Sequence, residues 1–358
     1  MFCRFPGSQP VSFGRKHLKW LEEDDYYVCE KSDGLRFLLN YASPPQGPAA
    51  FLIDRSYRFR VFPGVTLPRR MRPREIQEET LLDGELVWVE GAGAGAGAFK
   101  FYIFDALMFE GHAVVGLPLP DRLKVVQNDV IGPWKEARGR GSSGKGEYPF
   151  ELCLKQMWKP YGLHELFTKV IPSQKHENDG LIFTPIKDPY VAGTCHRMLK
   201  WKPAELNTLD FLVRRSAKGT WELHIATQGR PHYYADWDPA GDPSIGSGVD
   251  LDGVDGHVAE FQVHGATWSY MRLRDDKKLP NDSNTVEKVL HSIRDNVTRE
   301  DLLSREQVIR RAWKERETRA GAPIGMSGSG SGGVVGSRSG GVVGSGSAGA
   351  GAGAGAGG

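Results

Sequence analysis

The chain has 358 residues, 39% of them hydrophobic and 25% charged, and a formal net charge of +2. That length accommodates two domains with a packed core, and the composition excludes a fibrous or wholly disordered chain. Near-balanced charge also excludes a globally basic coat for nucleic acid, so any RNA or DNA site must be a local patch. Cys3, Cys29, Cys153 and Cys195 lie far apart, without zinc or disulfide spacing, and are expected to be reduced. No apolar run is long enough to span a bilayer and no signal peptide is visible, which predicts an intracellular protein.

Taken in order, residues 1–10 read as turn-like and 13–23 as a helix anchored by Leu18 and Leu21, with a cap at Ser12. Strand patterns follow at 26–30, 36–41, 50–54 and 58–62, which places Lys31 in a turn between strands. After a basic, proline-interrupted stretch at 67–74, strands are predicted at 81–89 and 99–107. Their connection, 91–98, alternates Gly and Ala and reads as a flexible hairpin extension.

A helix is predicted over 119–130 and a Gly- and Ser-rich loop over 136–147. Within that loop, Gly139 to Lys145 imitates a phosphate-binding loop. Gly146 stands where a magnesium-binding hydroxyl is needed, and no strand feeds the loop. Further strands are expected at 150–158, 180–184 and 198–201, with a helix at 161–170 between the first two.

Beyond Pro203 the pattern changes to closely spaced strands at 209–215, 220–227, 233–236, 258–264 and 267–274, then a helix at 283–296. Five short strands of this kind suit a small OB-type barrel. The acidic stretch 250–255 is out of register for a calcium loop and reads as a solvated turn. Residues 298–320 are charged and helical in pattern, with Leu302, Leu303, Val308, Ile309 and Trp313 as contacts. The last segment, 321–358, is almost all Gly, Ser, Ala and Val, and its composition predicts disorder.

Chemistry gathers first at Glu30-Lys31-Ser32-Asp33-Gly34-Leu35-Arg36. A lysine attacks phosphorus only after losing its proton, so a nucleophilic Lys31 requires neighbouring cations, and a triphosphate substrate calls for a divalent ion. Candidates follow at Ile53-Asp54-Arg55, Leu82-Asp83-Gly84-Glu85-Leu86 and Phe101-Tyr102-Ile103-Phe104-Asp105. Others are Asn178-Asp179-Gly180-Leu181-Ile182-Phe183, Leu199-Lys200-Trp201-Lys202-Pro203 and Arg272-Leu273-Arg274-Asp275-Asp276-Lys277. Each alone is an ordinary turn or charged strand edge. Together they offer carboxylates for a metal, an aromatic for a base and cations for a triphosphate.

In this order the motifs resemble those of the covalent nucleotidyltransferases, in particular the eukaryotic and viral messenger-RNA capping guanylyltransferases. The lead-in Phe5-Pro6-Gly7-Ser8-Gln9-Pro10-Val11-Ser12 and the run from Lys200 to Phe211 carry the same likeness, which covers about 5–313 without the Gly-rich insertions. The resemblance implies an α+β fold: a nucleotidyltransferase domain of antiparallel sheets with helices (1–205), an OB-fold lid (206–297), a C-terminal helix (298–320) and the tail. It implies that Lys31 attacks the α-phosphorus of GTP to form lysyl-N-GMP, and that a 5′-diphosphate RNA end then takes the GMP to make a GpppN cap.

By the same resemblance Arg36 and Arg55 would hold the ribose region, and Glu85 the sugar or metal region. Phe104 and Ile182 would sandwich guanine while Lys155 donates to its O6. Asp179 would serve the metal, Mg2+ or Mn2+, and Lys200 and Lys202 the α-phosphate. Arg274, Asp276 and Lys277 would close over the β- and γ-phosphates.

The implied setting is the nucleus, with a separate RNA 5′-triphosphatase as partner. Too little chain precedes Lys31 for a triphosphatase domain, and no H-C-x5-R signature occurs. The RNA polymerase II C-terminal domain is a further partner that the family brings into view. Two other readings share some of these motifs: an ATP-dependent polynucleotide ligase working through lysyl-AMP, and an inactive nucleotide- or RNA-binding scaffold.

Overall fold

The computed structural model describes residues 5–91, 96–139, 148–246, 249–264 and 267–319. The predicted phosphate-loop imitation beyond Gly139, the middle of the Gly-Ala tract and the tail 321–358 lie outside the described residues. In chain order the strands are β1 (Ser8–Ser12), β2 (Tyr26–Ser32), β3 (Leu35–Ala42), β4 (Ala49–Ile53), β5 (Phe59–Pro63), β6 (Thr80–Glu90), β7 (Gly97–Phe109) and β8 (His112–Ala113). They continue with β9 (Glu151–Leu154), β10 (Asn178–Pro185), β11 (Gly193–Trp201), β12 (Thr208–Arg215), β13 (Trp221–Thr227), β14 (Arg230–Trp237), β15 (Val258–His264) and β16 (Thr267–Leu273).

Two sheets build the first part of the chain. One has the order β1-β11-β10-β2; the other runs β5-β4-β3-β6-β7-β8, with β9 added parallel to β7. Strand β2 reads as a continuous apolar run, Tyr26 to Cys29, because both of its faces are covered. Lys31 is the penultimate residue of this strand, not part of a turn, since Ser32 still pairs with Asn178 of β10. Strand β1 was expected to be turn-like. Its local pattern is weak, and it becomes a strand by pairing parallel to β11 nearly the whole domain away in sequence.

The helix predicted over 119–130 starts at Leu119 as expected but runs to Gly139, through a wider π-helical turn at Val126–Ile131. The turn keeps Val126, Val130, Ile131 and Trp134 together in the core under the larger sheet. Residues 136–139 therefore belong to a helix rather than to the predicted loop. The first helix is His17–Glu23, capped at Lys16 without a side-chain bond, so Ser12 ends β1 instead.

The third sheet, β14-β13-β12-β15-β16, is antiparallel throughout, an OB-type arrangement that its hydrogen-bond ladder does not close among the described residues. Side chains bridge the gap. Asp242 Oδ2 accepts from Trp237 Nε1 at 3.0 Å and from the Tyr270 amide at 2.7 Å, and the two rings stack 6.1 Å apart. Helix Ser283–Asp295 follows, its first turn capped by Asp282, which accepts from the amides of Asn284 and Thr285.

The chain then returns to the first domain. Leu302 and Ile309, from helices Arg299–Ser304 and Glu306–Arg319, enter the core that holds Leu18, Leu21 and Tyr26. Val308, expected as a contact, is 46% exposed because it falls on the outer side of that helix. Among the described residues no helix is long and apolar enough to cross a membrane.

Candidate active site

The two sheets of the first domain enclose a cavity of about 730 Å³, counting space open to solvent. Lys31, Arg36, Arg55, Glu85, Phe104, Lys155 and Ile182 all line it. The sequence placed these residues in separate motifs; the fold brings them to one cleft because β2, β3, β6, β7 and β10 present five of them from facing sheets, and Arg55 and Lys155 follow the ends of β4 and β9.

At the mouth, Lys31 Nζ donates to Asp179 Oδ1 at 2.6 Å, and Lys202 binds the other carboxylate oxygen. Burial acts most strongly on Asp179 and pushes its carboxyl up, but the bonds from Lys202 and Lys31 outweigh it and hold the group below the usual range. Lys200 is held below the ordinary lysine range by burial first, then by the charges of Lys202, Lys31 and Arg55. Cations thus gather around Lys31, as its chemistry requires.

Glycine makes this geometry feasible. Gly180 has φ +151°, and a β-carbon there would lie 2.0 Å from the Trp201 carbonyl oxygen, so only glycine lets Asp179 approach the end of β11, which carries Lys200 and is followed by Lys202. Gly34 is comparable: a β-carbon would meet the Leu86 carbonyl at 2.7 Å.

Arg36 is held by a closed network. Its Nε and Nη2 donate to Asp83 at 3.0 and 2.5 Å, and Nη1 donates to the Ser8 carbonyl at 2.6 Å. Tyr190 donates to Asp83 at 2.5 Å and accepts from the Ser8 amide at 2.8 Å. The Arg36 guanidinium also lies 5.2 Å from the Phe104 ring. Asp83 is fully buried, and such a carboxylate is stable only with this many partners. Asp83 and Tyr190 were not singled out from sequence. Asp83 stands beside Glu85 in a motif already noticed, whereas nothing local marks Tyr190.

Glu85 sits in the cavity wall, its carboxyl pushed up by burial against the opposing pull of Lys155, Lys31 and Arg36. Arg55 is shifted down by burial and then by Arg36. Lys155, nearly fully buried, is bonded to Glu30 and Ser32 and lies 5.1 Å from the Tyr102 ring. Glu30 and Ser32 are further site residues that sequence reasoning missed, although they flank Lys31.

The described residues include no group of three or more His, Cys, Asp or Glu able to hold a metal. Of the carboxylates lining the cavity, Glu30, Asp83 and Asp105 are taken by Lys155, Arg36 and Arg122, which leaves Glu85, with Asp179 beside Lys31. These two fit a divalent ion of the Mg2+ type, whose remaining ligands are usually phosphate oxygens and water.

Arg274, Asp276 and Lys277 are not brought to the cavity. Arg274 donates to both oxygens of Asp276 at 2.9 Å and to Asp210 at 2.9 Å, and Lys277 donates to Asp210 at 2.5 Å. The cluster is internally neutralised on the second domain.

Two family models match this chain: the mRNA capping enzyme catalytic domain over residues 2–204 and the mRNA capping enzyme C-terminal domain over 206–303. The mRNA-capping enzyme subunit alpha of Schizosaccharomyces pombe is 34% identical, covering 87% of this chain and 82% of its own length. The Neurospora crassa protein of the same name is also 34% identical, with 87% of each chain covered. A solved mycobacterial DNA ligase D, complexed with ATP and MES, aligns with 76% of this chain and 96% of its own at 16% identity and TM-score 0.38. With a lysine-centred cleft between two sheets and both domains matched in order, the chain belongs to the mRNA capping enzyme family.

Proposed function

We propose that this protein is an mRNA guanylyltransferase in which Lys31 carries GMP from GTP to the 5′-diphosphate end of RNA. The observation that supports this most is the convergence of Lys31, Lys202 and Asp179 at the mouth of a cavity walled by Phe104, Ile182 and the buried Lys155.

In the first step the Lys31 nitrogen forms a bond to the α-phosphorus, and the bond from that phosphorus to the bridging oxygen of pyrophosphate breaks. Asp179, already hydrogen-bonded to Nζ, orients the nitrogen, and the proton that Lys31 must shed leaves to solvent before the attack. Lys200 and Lys202 stabilise charge on the α-phosphate oxygens. In the second step a terminal oxygen of diphosphate-ended RNA bonds to the same phosphorus, the P–N bond breaks and Lys31 regains a proton. Glu85 and Asp179 would hold Mg2+ or Mn2+, which when bound neutralises phosphate charge.

Arg36, Arg55 and Glu85 face the ribose side, and Phe104 and Ile182 stack on the base. Arg274, Asp276 and Lys277 engage the outer phosphates only after the second domain moves, because in this structure they do not line the cavity and Asp210 holds Arg274 and Lys277. An RNA 5′-triphosphatase supplied by another protein, an RNA polymerase II tail contact and a nuclear setting complete the proposal.

The test is incubation with divalent metal and α-labelled GTP or ATP, followed by denaturation. Label from GTP but not ATP, absent in Lys31→Ala, is expected. Label from ATP instead would mean a ligase, and label from neither a scaffold.

A further inference from the structure

We propose that Glu30 is a positioning residue that sets purine choice by fixing the Lys155 ammonium at the cavity wall. The inference rests on the guanylyl-transfer reading above and deepens it.

Glu30 is 3% exposed, immediately precedes the nucleophile, and takes no part in the two chemical steps. Its Oε1 binds Lys155, with His176 Nε2 3.8 Å away, and Ser32 binds the same ammonium from two residues further along β2. A buried lysine–carboxylate pair is rarely worth more than well-packed apolar side chains of the same volume, so its presence points to a task other than stability.

The task follows from hydrogen-bond inventory. An ammonium has three N–H donors and no acceptor. Glu30 and Ser32 take two of them, which leaves one for the cavity. Guanine offers an acceptor at O6, whereas adenine offers a donor amino group at the same place. A donor fixed there pairs with guanine and opposes adenine.

Without Glu30 the long, freely rotating lysine stem could withdraw from the base or reach other acceptors. Discrimination would then fall even though Phe104 and Ile182 still stack, because stacking does not distinguish the two purines.

The experiment compares wild type and Glu30→Gln for the rate of covalent labelling by α-labelled GTP and by α-labelled ATP, with circular dichroism confirming the fold. The expected result is that GTP labelling falls while ATP labelling does not, so the GTP:ATP ratio narrows by at least about tenfold, the scale of one charge-assisted hydrogen bond. A folded Glu30→Gln with equal losses for both nucleotides, or no change in the ratio, overturns the inference and leaves Glu30 as packing.

If Glu30→Gln does not fold, Ser32→Ala decides: a narrowed ratio supports the proposal and an unchanged one overturns it. Absence of any label on the wild-type chain would instead overturn guanylyl transfer itself, and this inference with it.

Discussion

Lys31 Nζ and Asp179 Oδ1, 148 positions apart in the chain, lie 2.6 Å apart in the fold. With Lys202 on the other oxygen, one carboxylate orders two cations at the mouth of the cavity.

Replacing Asp179 by Asn should therefore misplace both lysines and remove the negative charge that orders them. GMP loading should fall by about 100-fold or more, the usual scale for losing a preorganised charge. Single-turnover labelling measures it. Near-normal loading in a folded Asp179→Asn would remove Asp179 from the chemistry.

The position of Lys277, paired with Asp210 at 2.5 Å, yields a different prediction. If Lys277 serves the outer phosphates of GTP, Lys277→Ala should slow GMP loading more than transfer from a preloaded enzyme to diphosphate-ended RNA, since pyrophosphate is gone by then. Equal slowing of both half-reactions would sink that division of labour.

Gly180 and Gly193 form a matched pair for substitution. A methyl group at Gly180 would lie 2.0 Å from the Trp201 carbonyl, whereas at Gly193, with φ +76°, nothing is within 4 Å. Gly180→Ala should cost on the order of 3 kcal/mol of stability and most of the loading, because Asp179 must shift. Gly193→Ala should cost only about 1 kcal/mol, the left-handed backbone penalty, and should load normally. Urea unfolding and labelling on both variants provide the comparison.

His17 makes stability depend on pH. Its Nδ1 accepts from the Gly14 amide at 2.8 Å, and its pKa is lowered to about 4, by burial first and then by Lys16, with Asp295 opposing. As pH falls through about 6.5, the unfolded chain takes up a proton that the folded chain refuses until about 4. Stability should decline across that window, by on the order of 2 kcal/mol, and level off below it. Urea melts at several pH values should show a shallower decline for His17→Gln than for wild type; identical slopes would exclude His17 as the source.

Much of the architecture was legible because strands such as β6, β7 and β12 carry strong local β patterns, although Glu85 and Phe104 stand within β6 and β7 and not at their ends. Strand β1 was not, since Ser8–Ser12 becomes extended only by pairing with β11. The barrel expected beyond Pro203 was legible as five strands, but its ladder stays open among the described residues, and its edge strands are joined by Asp242 reaching Trp237 and Tyr270, a contact no periodicity reveals. Val308 was misplaced because a helical pattern leaves the phase of a charged helix ambiguous, and here Ile309 and Trp313 face the core instead.

By itself the sequence determined the kinds of chemical group available and their order: a lysine in K-x-D-G, carboxylates, an aromatic and a distant basic cluster. Only the tertiary structure decided which of them meet. Hydrogen bonds and ion pairs act over about 3 Å, a distance set by strand pairing and packing, not by separation along the chain. That is why Asp179 reaches Lys31, why Tyr190 and Asp83 clamp Arg36, and why Arg274 and Lys277 are neutralised by Asp210 on another surface.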